Sequence, residues 1–227
     1  DAKTMKNDFF HHYQNELMRM KNLGQTDFIE IYYQKRKIIL KLVDTSDETV
    51  KLMSEWRKRY RDNYFSIFEI TLEKTKRWIQ NDILNDPTRI QFMIFLDDKK
   101  IGNIGHGIHP KDENLVVFTS MIKSPDLIFP GLMTTIEKVY LRWIFEKLMA
   151  EKIFGELFSD NISMMKIHLK CGWRKISTFT MNKIPMDGGW RWVKAEKNDG
   201  EREMTAIEIT KEELLSKFGR IDYKILQ

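Results

Sequence analysis

The sequence predicts one α/β domain in which a mixed, mostly antiparallel sheet is flanked by helices and preceded by an extra N-terminal helix. Three observations carry this expectation. Segments with apolar residues at three- and four-residue steps alternate with short β-rich runs. Three strand-like runs follow one another from Ile90 to Lys123 with only polar turns between them, the pattern of a meander. No internal repeat and no Pro-, Gly- or Ser-rich linker divides the 227 residues.

The elements follow in order. Phe9, Tyr13, Leu17 and Met20 give residues 4 to 22 one apolar helical stripe, which Gly24 ends. Two strands are expected at Phe28 to Tyr33 and Lys37 to Val43, then a helix opened by Thr45 and Glu48 at capping-box spacing, with Val50, Met53, Trp56 and Tyr60 on its apolar face. A second helix starts near Thr71 and carries Leu72, Thr75, Ile79 and Ile83 before Pro87. The meander is Ile90 to Leu96, Ile101 to His109 and Leu115 to Lys123. After a loop, a long helix from Thr134 to Ala150 has Ile136, Tyr140, Trp143, Ile144 and Leu148 facing a core. Lys152 to Phe158 reads as a strand. Asn161 to Lys170 reads as a short helix, with Asp160 or Asn161 as cap and Gly172 at a left-handed stop. Strands at Trp173 to Lys183 and Met204 to Ile209 flank a polar segment with Gly188, Gly189, Trp190 and Trp192, and a helix from Lys211 to Phe218 closes the chain. Residues 1–26 form the N-terminal helical extension and residues 27–227 the main domain.

Composition bounds the function. Hydrophobic residues are 42% and charged residues 31%, enough for a core without disulfides or metals and too ordered a mixture for a disordered chain. The single cysteine, Cys171, permits no internal disulfide and no cysteine-based zinc cluster. It reads as a small buried apolar residue, without a His partner to make it a nucleophile. No apolar stretch is long enough to span a membrane and the start has no secretory pattern, so a soluble cytoplasmic protein is expected. Asp1 is not a methionine, so the chain reads as a trimmed form or a piece of a longer one. The net charge of +5 favours an anionic partner, but the basic runs alternate with acidic residues and no base-reading motif accompanies them, so nucleic acid is not expected. His11 and His12 are adjacent rather than helically spaced, and no metal-ligand spacing is present.

Two segments carry chemistry. The loop SPDLIFPGLMT lies between a strand and a long helix, where free backbone N–H groups and the helix dipole can hold a phosphate, and Gly131 allows close approach. The run SDNISMMKIHLKCGWRK places an Asn at a helix start, a Lys two residues before a Gly, and an aromatic directly after it. Together, over about residues 38 to 210, they resemble the GCN5-related N-acetyltransferase (GNAT) family. Its first motif runs Pro, two residues, Gln or Arg, two residues, Gly, one residue, Gly or Ala; here Pro125 and Gly131 match while Ile128 and Met133 depart. Ile128 removes a polar contact and Met133 adds bulk where the main chain approaches pyrophosphate. In the second motif Asn161, Lys170, Gly172 and Trp173 fit in register.

The resemblance implies acetyl-coenzyme A as co-substrate, without a metal. It implies that Ile122 and Lys123 hold the pantetheine arm through their main chain and that Asn161 sits beside it. The backbone of Phe129, Pro130, Gly131, Leu132, Met133 and Thr134 would hold the pyrophosphate. The position four residues before the motif Gly often supplies the proton to the departing thiolate, and here it is His168, or else an ordinary helical histidine. For the general base His106 comes first, on a strand expected beside the coenzyme strand and between Gly105 and Gly107, which leave room for a ligand; His109 and Glu69 follow. Trp190 and Trp192 could stack on a substrate ring, although cross-strand packing is the ordinary explanation.

The resemblance therefore implies acetyl transfer to a primary amine. The WRK run after an acidic helix start, the WI run in the second helix and the long final hairpin resemble the branch that acetylates amino-sugar nucleotides or protein N-termini; a base-stacking surface in Trp190 and Trp192 and the positive balance favour a nucleotide-linked small-molecule acceptor. A protein N-terminus or peptide is the alternative, and a non-catalytic binding module with this fold is the third reading. Neither nucleic acid nor membrane is an expected partner, and a homodimer is compatible with the sequence.

Overall fold

The computed structural model describes residues 2–227; Asp1 lies outside them. Helix α1 (Ala2–Leu23) buries Tyr13, Leu17 and Met20 in the main core. The hairpin β1 (Asp27–Tyr33) and β2 (Arg36–Leu42) turns through Gln34 and Lys35, both at positive φ, as a tight two-residue turn requires. Helix α2 (Asp47–Arg59) is capped by Ser46, whose hydroxyl accepts from the Thr49 N–H, one residue later than the Thr45 cap the sequence predicts. After a short turn comes β3 (Ser66–Phe68), then α3 (Leu72–Trp78), capped by Thr71 and extended by a π-helical turn over residues 79–84.

The meander is β4 (Ile90–Leu96), β5 (Lys99–His109) and β6 (Asp112–Lys123). It leads into α4 (Leu132–Lys147), β7 (Lys152–Phe158) and α5 (Ile162–Cys171), whose cap is Asn161. The chain continues through β8 (Arg174–Met186), β9 (Gly189–Lys194), β10 (Arg202–Thr210) and α6 (Lys211–Phe218), where Thr210 and Glu213 form a complete capping box. It ends in β11 (Asp222–Ile225), which pairs with β1 and which the sequence reading omitted, as it omitted β3.

All eleven strands join one sheet in the order β11-β1-β2-β4-β5-β6-β7-β10-β8-β9-β3. Its pairings are antiparallel except β6 with β7, which is parallel. Both faces of the central strands are covered. On one face α1, α4 and α5 pack over Phe92, Ile94 and Ile104; on the other α2 and α3 place Val50, Met53, Trp56, Ile79 and Ile83 against Met93 and Ile122. The feature that positions the site is a gap. β6 and β7 pair only at Val116 with Ile153 and Val117 with Phe154, after which β6 runs on to Lys123 beside β5 alone and β7 runs on to Phe158 beside β10.

Candidate active site

An open cleft of about 1220 Å³ occupies this gap. One wall is the end of β6 and the start of α4, contributed by Ile122, Lys123, Ile128, Phe129, Pro130, Gly131, Met133 and Thr134, and Asn161 faces them. Gly131 has φ +82°, and a Cβ there would overlap the Tyr33 hydroxyl, which donates to the Pro130 carbonyl. Only glycine satisfies both conditions. The Leu132 N–H is spent on Phe129 O and the Thr135 N–H on Gly131 O. Met133 and Thr134 are thereby left as the donors of the first turn, the arrangement that holds phosphate oxygens at a helix start.

Two expectations about this loop change. The Met133 side chain packs into the core beneath, so its bulk does not stand over the helix start. Leu132 is fully buried, is absent from the cleft wall and spends its N–H on Phe129 O, so it offers the cleft no donor. Ile128 is 88% exposed at the mouth. Asn161 uses Oδ1 to accept the Met164 N–H, which leaves its amide nitrogen free to donate.

His168 lines the same cleft while only 4% exposed. Its Nδ1 lies 2.6 Å from Oε1 of Glu137, a carboxylate on α4 with no exposed surface. The Trp173 indole N–H donates to the same oxygen at 3.0 Å, and the Cys171 thiol reaches Oε2 at 3.5 Å. The second motif thus converges on one buried carboxylate, a group the sequence reading did not single out. Burial and the Glu137 charge push the Cys171 thiol up, which keeps it protonated and inert.

His106 is not at the cleft. It is fully buried beneath α1 and α4, with Nδ1 2.6 Å from the Tyr140 hydroxyl and edge-on contacts to Tyr13, Tyr140 and Trp143. Burial pushes its pKa down to about 3, with the Lys21 charge adding to the effect. The two glycines beside it open on the other face of the sheet and are filled by neighbouring side chains. A Cβ at Gly105 would meet Gln91, and one at Gly107 would stand 3.0 Å from Cγ of Arg89. A buried histidine without access to the cleft cannot receive a substrate proton, so the first choice of base is withdrawn.

The face of the cleft toward α2 and α3 is built from Tyr60, Asn63, Tyr64, Phe65, Arg89, Gly107, His109, Thr119, Phe154 and Glu156. Tyr60 donates to the Lys123 carbonyl at 2.9 Å and Tyr64 bonds Ser120, which ties the segment after α2 to the end of β6. Arg57 lies 3.9 Å from the Tyr64 ring centre and supports it. His109 reaches the cleft edge-on to Phe154. Among the described residues Glu156 is the single carboxylate of the lining. It is open to the cleft yet walled closely enough that desolvation raises its pKa, while His109 and Lys194 pull it back. Its signal in the sequence is a lone acid inside the apolar run Ile153 to Phe158. Glu69, exposed in the connection before α3, is absent from the lining.

Trp190 and Trp192 stand elsewhere. Trp190 is 46% exposed on β9 opposite Ile67 of β3. Trp192 packs edge-on against Phe158, with Lys183 and Arg202 against its ring. Neither lines the cleft. Cross-strand packing, with cation contacts, accounts for both.

A family model, the acetyltransferase (GNAT) domain, matches residues 37–174. The chain belongs to that family. It is an acetyl-coenzyme-A-dependent N-acetyltransferase. Among solved structures, an uncharacterized protein from Bacillus halodurans is 12% identical with a TM-score of 0.61, covering 86% of this chain and 95% of that one. Spermidine N-acetyltransferase from Vibrio cholerae, in complex with CoA and spermine, is 13% identical with a TM-score of 0.61, covering 78% of this chain and 98% of that one. At such identities these neighbours establish the shared fold and nothing about the acceptor. No curated protein matches the chain. Among the described residues no helix is long and apolar enough to cross a membrane, and no group of three His, Cys, Asp or Glu converges to hold a metal.

Proposed function

We propose that the protein acetylates the primary amine of a small molecule, with Glu156 as general base and His168 as general acid. The single observation that carries this reading is the place of Glu156, the one carboxylate among the described residues of the cleft, just beyond the point where β6 and β7 part. Acetyl-coenzyme A supplies the activated acyl thioester. The chain's part is to hold it: main-chain groups of Ile122 and Lys123 along the free stretch of β6, and the N–H groups of Met133 and Thr134 at the start of α4, with Asn161 opposite. A protonated amine cannot attack, so Glu156 takes its proton; a carboxyl raised toward neutrality is better matched to that task than an ordinary one. His168, held at Nδ1 by Glu137, returns a proton to the thiolate from the other side of the gap.

Charge favours an amino-sugar nucleotide or a related anionic amine over a polyamine or basic peptide. A polycation would meet Arg89, Lys123, Lys166 and Lys170 and one acid. The two tryptophans no longer support this preference, since neither lines the cleft.

An acceptor screen with acetyl-coenzyme A, reading free thiol for amino-sugar nucleotides, amino-sugar phosphates, peptides and polyamines, tests the reading. Glu156→Gln is expected to lower turnover roughly 10²-fold or more while coenzyme A titrates as in the parent. Full turnover in Glu156→Gln overturns the assignment of the base.

A further inference from the structure

The cleft contains an arginine whose charge nothing among the described residues answers. Seven of the chain's other arginines, Arg19, Arg36, Arg61, Arg77, Arg142, Arg174 and Arg202, lie within 4.0 Å of a carboxylate. Arg57 is held by the Ser66 carbonyl and the Tyr64 ring, and Arg59, Arg191 and Arg220 are exposed to water. Arg89 is half-buried. Among the described residues its guanidinium has no carboxylate and no hydrogen-bond acceptor, and its Nε is shut off from solvent without a partner. The Trp78 ring stands 5.8 Å away, and the guanidinium is near enough to Tyr13 and Lys21 for its charge to act on both, neither of which is an anion that could pair with it. Asp86, three residues earlier, turns Oδ1 to the Thr88 N–H and hydroxyl at 2.8 and 2.7 Å and makes no ion pair with Arg89.

The local structure carries this side chain across the sheet. Arg89 lies at the entrance to β4, beside Gly107 of β5, because Ile90 pairs with His106. The missing side chain at Gly107 lets the Arg89 stem cross β5 on the face toward α3; a Cβ there would close to 3.0 Å. The crossing carries the guanidinium toward β6 and into the cleft wall. Glu156 stands on the same face, on β7, two residues beyond Phe154, which is level with Val117 and Gly107, so it lies past two strand spacings, more than roughly 10 Å, from β5. A guanidinium whose Nε is shut off from water without an acceptor is costly, and its planar fork matches a carboxylate or a phosphate.

Resting on the acetyl-transfer reading above, we propose that Arg89 is the specificity-determining residue of the acceptor site and that the acceptor carries an anionic group, phosphate or carboxylate, several bonds from its amine. The amine points to Glu156 and the anion to Arg89. The arrangement selects against neutral amines and polyamines, which leave the guanidinium unpaired.

The test compares two probe pairs: glucosamine 6-phosphate with glucosamine, and 6-aminohexanoate with hexylamine. Binding to the coenzyme-A-loaded protein is measured by calorimetry, and turnover by thiol release, for the parent, Arg89→Gln and Arg89→Lys. A charge-assisted hydrogen bond of the usual strength predicts a preference of roughly 10- to 100-fold for the anionic member of at least one pair. Which pair responds separates phosphate from carboxylate. Arg89→Gln should bring that ratio to within about threefold by raising the Kd and KM of the anionic member, and Arg89→Lys should retain part of it, with coenzyme affinity and thermal stability of both variants as folding controls. Anion-selective binding that depends on Arg89 without any acetyl transfer leaves the inference standing and removes the proposed function. Equal handling of both members, no binding of either anionic probe, or a preference that survives Arg89→Gln overturns the inference.

Discussion

The placement of His106 has a measurable consequence for stability. In the folded protein its pKa is pushed down to about 3 from 6.5, because burial disfavours the imidazolium. In the unfolded chain it titrates normally. Between those values the unfolded state binds the extra proton, so stability is fully present above about pH 6.5 and is lost as pH falls toward 3. Each pH unit inside that window is worth about 1.4 kcal/mol. Between about pH 7.5 and about pH 5 the loss attributable to this one side chain is therefore about 2 kcal/mol, a large share of an ordinary domain's margin. Lys21, whose pKa burial lowers to about 8, begins to lose its proton only at the top of that interval and adds about 0.2 kcal/mol.

The assay is urea denaturation at those two pH values for the parent and for His106→Gln. The glutamine amide would keep a polar partner for the Tyr140 hydroxyl while removing the titration. Every other acid is common to both proteins and cancels in the comparison. The parent should lose about 2 kcal/mol more than the variant. Equal losses would mean that His106 is hydrated or paired in solution, and the argument for its burial would fail. The same variant should keep the parent's pH profile of acetyl transfer, since the residue does not reach the cleft.

Three further outcomes follow from the geometry. Gly131→Ala should cost about 1–2 kcal/mol through its left-handed backbone and weaken coenzyme binding; adding Tyr33→Phe, which removes the hydroxyl that the new Cβ would overlap, should recover part of both in a thermal-shift titration. His168→Gln should lower kcat roughly 10²-fold with coenzyme Kd little changed, the usual scale for a positioned acid, and an intact kcat would reduce His168 to a partner of Glu137. Trp192→Ala should lower stability by about 2 kcal/mol by unpacking Phe158 and Arg202; a several-fold rise in acceptor KM for the folded variant would return the acceptor to the hairpin.

How much of this was legible in the sequence depended on whether one strand or helix sufficed to make the signal. The α4 stripe of Ile136, Tyr140, Trp143, Ile144 and Leu148 is buried as the spacing predicts, and the Asn161 cap and left-handed Gly172 are where the motif puts them. β3 is three residues long and exists through its pairing with distant β9, so no local period announces it. The misplacement of His106 has a similar origin. Glycines on a strand do make room, but Gly105 and Gly107 make it on the opposite face, and Gln91 of the neighbouring strand and Arg89 just before it occupy it. In a strand covered on both faces, alternation between apolar and polar residues vanishes and the sequence gives no sign of which side faces a ligand.

That two-sidedness also orders the proposed chemistry. Along β7 the period of two sends Ile153 and Leu157 into the core beneath α4, and Phe154 and Glu156 toward His109 and the segment after α2. His168 rises from the α5 side, anchored to Glu137 of α4. Among the described residues no hydrogen bond joins Glu156 to His168. A proton taken from the amine on one face is thus a different proton from the one returned to sulfur on the other, and the opening between β6 and β7 is where both faces meet one thioester. Substitutions at Arg89, His109 or Glu156 should therefore move acceptor kinetics, and substitutions at Gly131 or Asn161 coenzyme affinity. A variant on either side that moved both equally would argue that the gap closes on binding, since a rigid opening gives the two substrates separate walls.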